Sequence, residues 1–293
     1  MRYTFVKDNR SSFPVLKMCR TFNISPSGFY RWQSNPCSAQ HKETIRIKQR
    51  IRELYTEHKG MVGSPMVTAD LRSESAFASV GKNRVARLMK DMGLKCKATK
   101  KFIATTNSKH NEPVAPNILN REFSVPAPNT AWVSDITYIK VGQKWHYLTV
   151  FIDLFSRIIV GWDLSDTLER HSMLRAFHKA IWNRRPGKGL LIHSDRGIQY
   201  ACADFRNLLK NLNFVQSMSR KGNCWDNSVA ESFFHTLKTQ LIHHRQFRNR
   251  NEVEQELFNY IEIYYNRRRR HSTNGYQSPA MYEVEWMKIQ NAA

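Results

Sequence analysis

Three carboxylates stand in unlike local sequences: Asp135 in TAWVSDITYI, Asp195 in LLIHSDRGIQY and Glu231 in WDNSVAESFFHTLK. Hard oxygen donors carried on separate rigid elements are what a pair of divalent cations needs when the ions must sit roughly 4 Å apart for phosphoryl transfer. Asp135 falls inside a β-rich run, on the strand face shared by Val133, Thr137, Ile139 and Val141. Aspartate is disfavoured in strand interiors, and a carboxylate there costs free energy unless a cation or donor compensates it. Asp153, at the end of the next run where a turn begins, is in an ordinary place for aspartate.

Asp195 follows the apolar run Leu190 to Ile192, and ligand sites in open α/β sheets gather at the carboxyl ends of strands. The segment Ser194-Asp195-Arg196-Gly197 reads equally well as a tight turn, and His193 reads as structural. Glu231 has the strongest competing reading, because Ser228-x-x-Glu231 matches a capping box at a helix start. The helix face tips it the other way. Glu231, His235 and Lys238 follow one another at i, i+4 and i+7, beside a packing stripe of Ala230, Phe234, Leu237 and Leu241. Lys238 then lies about 10 Å further along the helix, within reach of a phosphate bound next to the carboxylates.

The rest of the chain says which phosphates. Against 46 Lys and Arg stand 24 Asp and Glu, a formal charge of +22 that calls for a polyanionic partner, with nucleic acid first. Charge alone also fits a ribosomal or membrane-surface protein. Hydrophobic residues make up 41% of 293, enough for a real core, so one sizeable domain with one or two small ones is expected. The five cysteines form no C-x-x-C pair and read as reduced thiols. No apolar run approaches the length of a membrane span and no signal core opens the sequence, so a soluble cytoplasmic protein with no membrane partner is expected.

The elements that must position the carboxylates follow in order. Residues 13–33 read as a helix-turn-helix, with Ser25 as N-cap and Pro26 at the first helical position; a plain helical hairpin packed on a neighbour is the alternative. A second helical unit runs from Thr44 to Leu94, with Ile47, Ile51, Leu54 and Tyr55 at helical spacing and a break at Lys59-Gly60. Its last helix puts Val85, Leu88, Met89 and Met92 on one face and Lys82, Arg84, Arg87 and Lys90 elsewhere, the build of a recognition helix or of a solvated basic face. Three β-rich runs separated by short turns come next, then α/β alternation ending in a helix from Ser228. The expected fold is therefore an α/β RNase H-like core, with a mixed sheet of three antiparallel strands followed by α/β alternation, preceded by small all-α helix-turn-helix regions. The expected boundaries are 1–38 and 39–96 for the helical regions, 97–127 for a basic, proline-containing linker, 128–250 for the core and 251–293 for a basic helical extension.

W-x-x-D-I-T-Y-I, H-S-D-R-G-x-Q-Y and D-N-x-x-x-E-S-F-F-x-x-L-K all stand in this sequence, and positions 196–230, 35 residues, separate the second and third acids. With Tyr265 to Ser272, Gly275-Tyr276 and Ser278-Pro279, these motifs resemble the OrfB product of the insertion-sequence-three family, DDE transposases related to retroviral integrases. Asn274 stands where many members carry leucine.

The resemblance implies a triad of Asp135, Asp195 and Glu231 that binds two Mg²⁺ ions, with Mn²⁺ able to substitute. It implies cleavage and joining of double-stranded DNA at element ends by a homo-oligomer. Family members usually act as a fusion with an upstream OrfA region, which this chain is expected to lack, so the OrfA product is a candidate partner. Lys238, Lys82, Arg84, Arg87, Arg267, Arg268, Arg269, Arg270 and His271 are the candidate DNA contacts. Two other readings compete: a non-catalytic DNA-binding accessory protein modulating the full-length fusion, and an RNase H-like nuclease that hydrolyses without joining.

Overall fold

The chain divides into two units, Met1–Cys96 and Lys97–Ala293, and the computed structural model describes residues 1–34, 39–97 and 112–292, apart from the side chain of Cys224. The first unit opens with α1 (Arg2–Asp8), α2 (Val15–Thr21) and α3 (Pro26–Ser34). The turn between α2 and α3 uses Asn23 at φ 49°, and the Ser25 hydroxyl accepts from the Gly28 N–H at 3.3 Å, so the cap and the N1 proline fall where their chemistry places them. α1, which nothing in the local pattern marks, supplies Tyr3 and Val6 to a small core with Met18, Cys19 and Phe29. Phe29 and Trp32 are thereby packed inward and Tyr30 stays exposed.

Then come α4 (Ala39–Glu57), α5 (Ser64–Arg72) and α6 (Lys82–Asp91). The periodic Ile47, Ile51 and Leu54 meet Val67 and Leu71 of α5 and Val85, Leu88 and Met89 of α6 in one core. The break between α4 and α5 falls at Lys59 (φ 51°) and Gly60 (φ 73°). α6 ends at Gly93 (φ 69°), with the Leu94 N–H donating back to the Met89 carbonyl at 2.9 Å. Of the linker expected over 97–127, residues 98–111 lie outside the described residues, as does Cys37. Cys19, Cys96 and Cys202 form no disulfide.

The second unit is built on β1 (Ala131–Val141), β2 (Lys144–Asp153), β3 (Ile159–Ser165), β4 (Leu191–Ser194) and β5 (Val215–Met218). They form one sheet in the order β3-β2-β1-β4-β5. β1, β2 and β3 are antiparallel neighbours, while β4 and β5 join parallel to β1. The mixed sheet expected from the sequence is thus the observed one. α7 (Arg170–Arg184) crosses from β3 to β4, and α8 (Ile198–Ala201) and α9 (Ala203–Asn211) from β4 to β5. Their apolar residues, Phe177, Tyr200 and Phe205 among them, pack with Trp132, Phe151 and Ile192 in the main core.

α10 (Ser228–Gln240), α11 (Arg250–Phe258), a π-helical segment Asn259–Tyr265 and α12 (Pro279–Ala292) complete the unit. These C-terminal elements are fastened to the sheet side. Both functions of the Asn266 amide are spent on the Ile159 backbone of β3, at 2.9 and 3.0 Å, and Glu283 takes Ser156 and Arg184. Asn274, the departure from leucine, is buried and donates its amide to the Ser156 carbonyl at 2.6 Å. At the other edge, the Met218 N–H of β5 donates to the Pro116 carbonyl, and the Ile118 and Leu119 N–H groups donate to Ser217 Oγ. Residues 116–119 therefore cover an edge strand that would otherwise present unpaired backbone.

α7 lies so close to β3 that a Cβ at Gly161 would stand 2.4 Å from the Ala176 carbonyl and 2.7 Å from Ala180 Cβ. Backbone on both sides cannot yield as a flexible side chain would. Gly161→Ala should lower folding stability by about 1–3 kcal/mol, the usual cost of overpacking, read as a fall in the urea midpoint with an unchanged slope.

Candidate active site

The parallel register of β1 and β4 sets the first contact. Ala131 pairs with Leu191 and Ser134 with Ser194. One residue further along stand Asp135 on β1 and Asp195 just past β4, so the ladder itself brings them abreast on strands about 4.8 Å apart. Beneath them, Ser134 Oγ donates to the Val150 carbonyl at 2.8 Å and meets the buried Tyr200 hydroxyl at 2.7 Å. That polar pair pins the strand next to Asp135. Asp195 also closes the local turn it resembles, its Oδ1 accepting from the Gly197 N–H at 2.9 Å, and a Cβ at Gly197 would stand 3.0 Å from that oxygen. The turn and the candidate ligand are one structure.

Glu231 is brought in by a third element. A 3-10 turn, Cys224–Asn227, runs straight into α10, so Ser228 is already helical and no side chain caps the helix start. Asn227 instead donates its amide to the Ser134 carbonyl at 3.2 Å, tying the first turn of α10 to β1 beside Asp135. Glu231 follows four residues later, one helical turn on. A real capping pair does occur elsewhere, at α11, where Asn249 accepts from the Glu252 N–H and Glu252 from the Arg248 N–H.

The Asp135 carboxyl feels the charges of Asp195, Glu231 and Lys238. It is held well above the ordinary carboxylate range, first by burial, then by the charge of Asp195, with Glu231 adding to it. The Ile136 N–H donating to its Oδ1 at 2.8 Å and the Lys238 ammonium pull the other way. Glu231 is raised by burial. Lys238, buried on α10, is lowered to about 8 by burial, with Asp135 partly restoring it. Asp135 thus stands against two other acids and one ammonium. The donors are all carboxylate oxygens, the set that hard divalent cations take, and confined negative charge is what such cations would offset. Among the described residues no three or more His, Cys, Asp or Glu are drawn together tightly enough to hold a single ion.

Residues 125–224 match the family model described as integrase core domain, residues 231–286 match a second model with that description, and residues 41–102 match an HTH-like domain. The chain is 36% identical over 291 residues to the transposase InsF for insertion sequence IS3A of Escherichia coli (strain K12), covering 97% of this chain and 98% of that one. It is 39% identical over 272 residues to an insertion element IS600 uncharacterized 31 kDa protein of Shigella sonnei, covering 93% and 99%. The chain belongs to the insertion-sequence transposases of the IS3 type. The catalytic core domain of HTLV-2 integrase, solved in complex with magnesium, superposes with a TM-score of 0.42 at 17% identity, covering 54% of this chain and 97% of that one.

Two residues of this transposase core that the sequence reads as structural, His193 and Asp153, are structural here. His193 is fully buried, its ring nitrogens 2.8 Å from Ser217 Oγ and 3.2 Å from Ser219 Oγ, and burial lowers it to about 4, so it is a neutral imidazole inside the sheet. Asp153 accepts from the Asn129 and Phe155 N–H groups and from Arg184, a structural carboxylate as its turn position implied.

The candidate DNA contacts divide in a similar way. On α6, Lys82 and Arg87 are exposed, while Arg84 bonds Glu43 at 3.0 Å and Thr44 at 3.2 Å across to α4. In the arginine run, Arg267 and Arg268 are exposed. Arg269 lies 5.7 Å over the Tyr265 ring and 3.0 Å from the His271 Nε2, and Arg270 donates to the Tyr276 carbonyl. His271 is lowered to about 3 by burial and by Arg269 and Arg157, which leaves it uncharged.

Asp226, one residue before Asn227, is the part that local reading misses. Its buried carboxylate takes Asn117 (2.9 Å), Arg121 (2.7 Å) and the backbone and guanidinium of Arg220 (2.7 to 2.9 Å). It therefore holds the turn that launches α10 to the segment before β1. Two signals were present in the sequence, an acid directly before the helix and Arg220 six residues back, but Arg121 lies 105 residues away. Arg220, and Arg121 with it, hold the Asp226 carboxyl well below the ordinary range. Because the folded value lies below the unfolded value of about 3.9, its stabilisation is complete above that value and is lost as pH falls toward the folded one. Asp226→Asn should lower the melting midpoint by a few degrees at pH 7. The deficit should hold steady down to about pH 5 and close on further acidification, as followed by circular dichroism.

Proposed function

We propose that this transposase cuts DNA strands at the ends of its insertion sequence and joins them to new DNA, with Asp135, Asp195 and Glu231 as the catalytic carboxylates. The observation that carries the reading is the convergence of the three acids from β1, the end of β4 and α10 in one neighbourhood, with Lys238 as the adjoining cation. Asp135, Asp195 and Glu231 would hold two Mg²⁺ ions, or Mn²⁺ in their place. When bound, the ions supply Lewis acidity and an activated oxygen nucleophile.

The protein's own residues divide the remaining tasks. Asp135 feels the charges of both Asp195 and Glu231, so a cation held at any of the three would offset charge at the others. Lys238 remains largely protonated at pH 7 and offers a donor to a phosphate oxygen beside the carboxylates. Burial of the site strengthens each of these charge interactions relative to water. The HTH-like unit, with Lys82 and Arg87 exposed on α6, and Arg267 and Arg268 in the second unit, would lie along duplex phosphates. Joining two ends calls for a homo-oligomer on double-stranded DNA, acting with the OrfA product, in the cytoplasm. Among the described residues no helix is long and apolar enough to cross a membrane.

Asp135→Asn should reduce strand cleavage of element-end DNA to background while leaving DNA affinity nearly intact, and EDTA should do the same to the unaltered protein. Full cleavage by the variant would remove Asp135 from the site. A protein that binds but never cleaves with Mg²⁺ would be the accessory factor, and one that cleaves without joined product a nuclease. Replacing Arg267 and Arg268 together by alanine should flatten the log–log dependence of DNA affinity on salt by a slope of about 1–2, measured by titration at several salt concentrations. An unchanged slope would make them solvated surface charges.

A further inference from the structure

Beside Lys238 lies a cleft of about 510 Å³, lined also by Tyr138, Lys140, Trp145, Tyr147 and His243. Its rings come from the β1–β2 hairpin, where Tyr138 pairs with Tyr147 and Lys140 with Trp145. The register stacks them into one aromatic surface. Ring centroids stand 5.4 Å apart for Tyr138 and Tyr147 and 6.4 Å for Tyr138 and Trp145, both edge to face. Trp145, within β2, is 55% exposed, and its paired residue Lys140 is exposed as well.

Lys238 connects the cleft to Asp135, since it lines the one and feels the charge of the other. The Tyr138 hydroxyl is raised by burial, by Tyr147 and by the charges of both Asp135 and Asp195.

Aromatic rings interleaved with cations are what single-stranded nucleic acid recognises, because each base offers a π-face and each phosphate a charge. A paired duplex offers only its phosphates, since its base faces are stacked on one another. Exposed rings beside a phosphate-handling site therefore gain an occupant only when a base leaves the stack.

We propose that this cleft takes up an unstacked base of the DNA strand whose phosphate lies at Asp135, Asp195 and Glu231, with Trp145 and Tyr138 as the stacking surface and Lys140 and Lys238 at the flanking phosphates. This rests on the strand-cutting reading and adds to it: the substrate at the site is a locally opened DNA end. His243, at the rim, has its pKa lowered by burial and by Lys238, so it offers a neutral ring nitrogen to a base edge.

The test compares the full chain's affinity for two duplexes of one sequence, one blunt and one with a few unpaired nucleotides at an end, without metal. The frayed duplex should bind roughly 5- to 150-fold more tightly, the gain expected for stacking one base. That ratio should fall toward one for Trp145→Ala, be largely kept for Trp145→Phe, and fall again when the unpaired nucleotides are made abasic. Equal affinity for the two duplexes would overturn the proposal and leave the cleft to some other occupant, such as a protein segment. A ratio that survives Trp145→Ala or the abasic strand would overturn it as well. The same duplexes incubated with Mg²⁺ separate the two claims: absence of cleavage there counts against the catalytic reading, while the affinity ratio alone judges the cleft.

Discussion

Asp135 and Asp195 stand abreast on neighbouring strands, and like charges that close repel. Burial and the neighbouring acids together push the Asp135 carboxyl upward, which is the measure of that conflict. No single element could sustain it. The parallel ladder of β1 and β4 fixes Asp135 against Asp195, and the amide of Asn227 on the Ser134 carbonyl fixes the start of α10 against the same strand.

Behind that clamp stand polar contacts that no local pattern announces. Ser134 and Tyr200 brace β1, His193 bridges β4 to Ser217 and Ser219, and Asp226 gathers Asn117, Arg121 and Arg220 around the turn into α10. Ser134, Tyr200, His193 and Asp226 are buried and hydrogen-bonded, as buried polar groups must be if they are not to destabilise the fold. Ser217 also receives the Ile118 and Leu119 N–H groups, so the segment before β1 and the inner support of β4 share one hydroxyl. Bracing of this kind holds the backbone around Asp135, Asp195 and the start of α10 rigid.

Basic charge has an equally divided role. Arg84, Arg184, Arg220, Arg269 and Arg270 donate to protein partners, so part of the +22 charge is spent on assembly. What remains at the surface includes Lys82, Arg87, Lys140, Arg267 and Arg268. A run of four arginines looks uniform in sequence, yet two of its members turn toward Tyr265, His271 and Tyr276 because the chain after the π-helical segment folds back on itself.

By itself the sequence determined the order and type of the elements. Period-two runs marked the strands, Gly142 marked the hairpin, Ser25-Pro26 and Gly93 marked helix ends, and its polarity inside a strand set Asp135 apart. All of these are local effects, expressed within a few residues. Tertiary structure alone decided what local chemistry left open. Ser228-x-x-Glu231 has the letters of a capping box, but a 3-10 turn feeds the helix and removes the free end that a cap would serve. Ser194 to Gly197 is a tight turn and also the seat of Asp195, a distinction that exists only once β1 lies alongside. α1 could not be read because its two core residues, Tyr3 and Val6, gain meaning only against α2 and α3. Asp226 shows the limit most plainly: its charge is visible in the chain, but its partner Arg121 is 105 residues away, and only folding brings the two together.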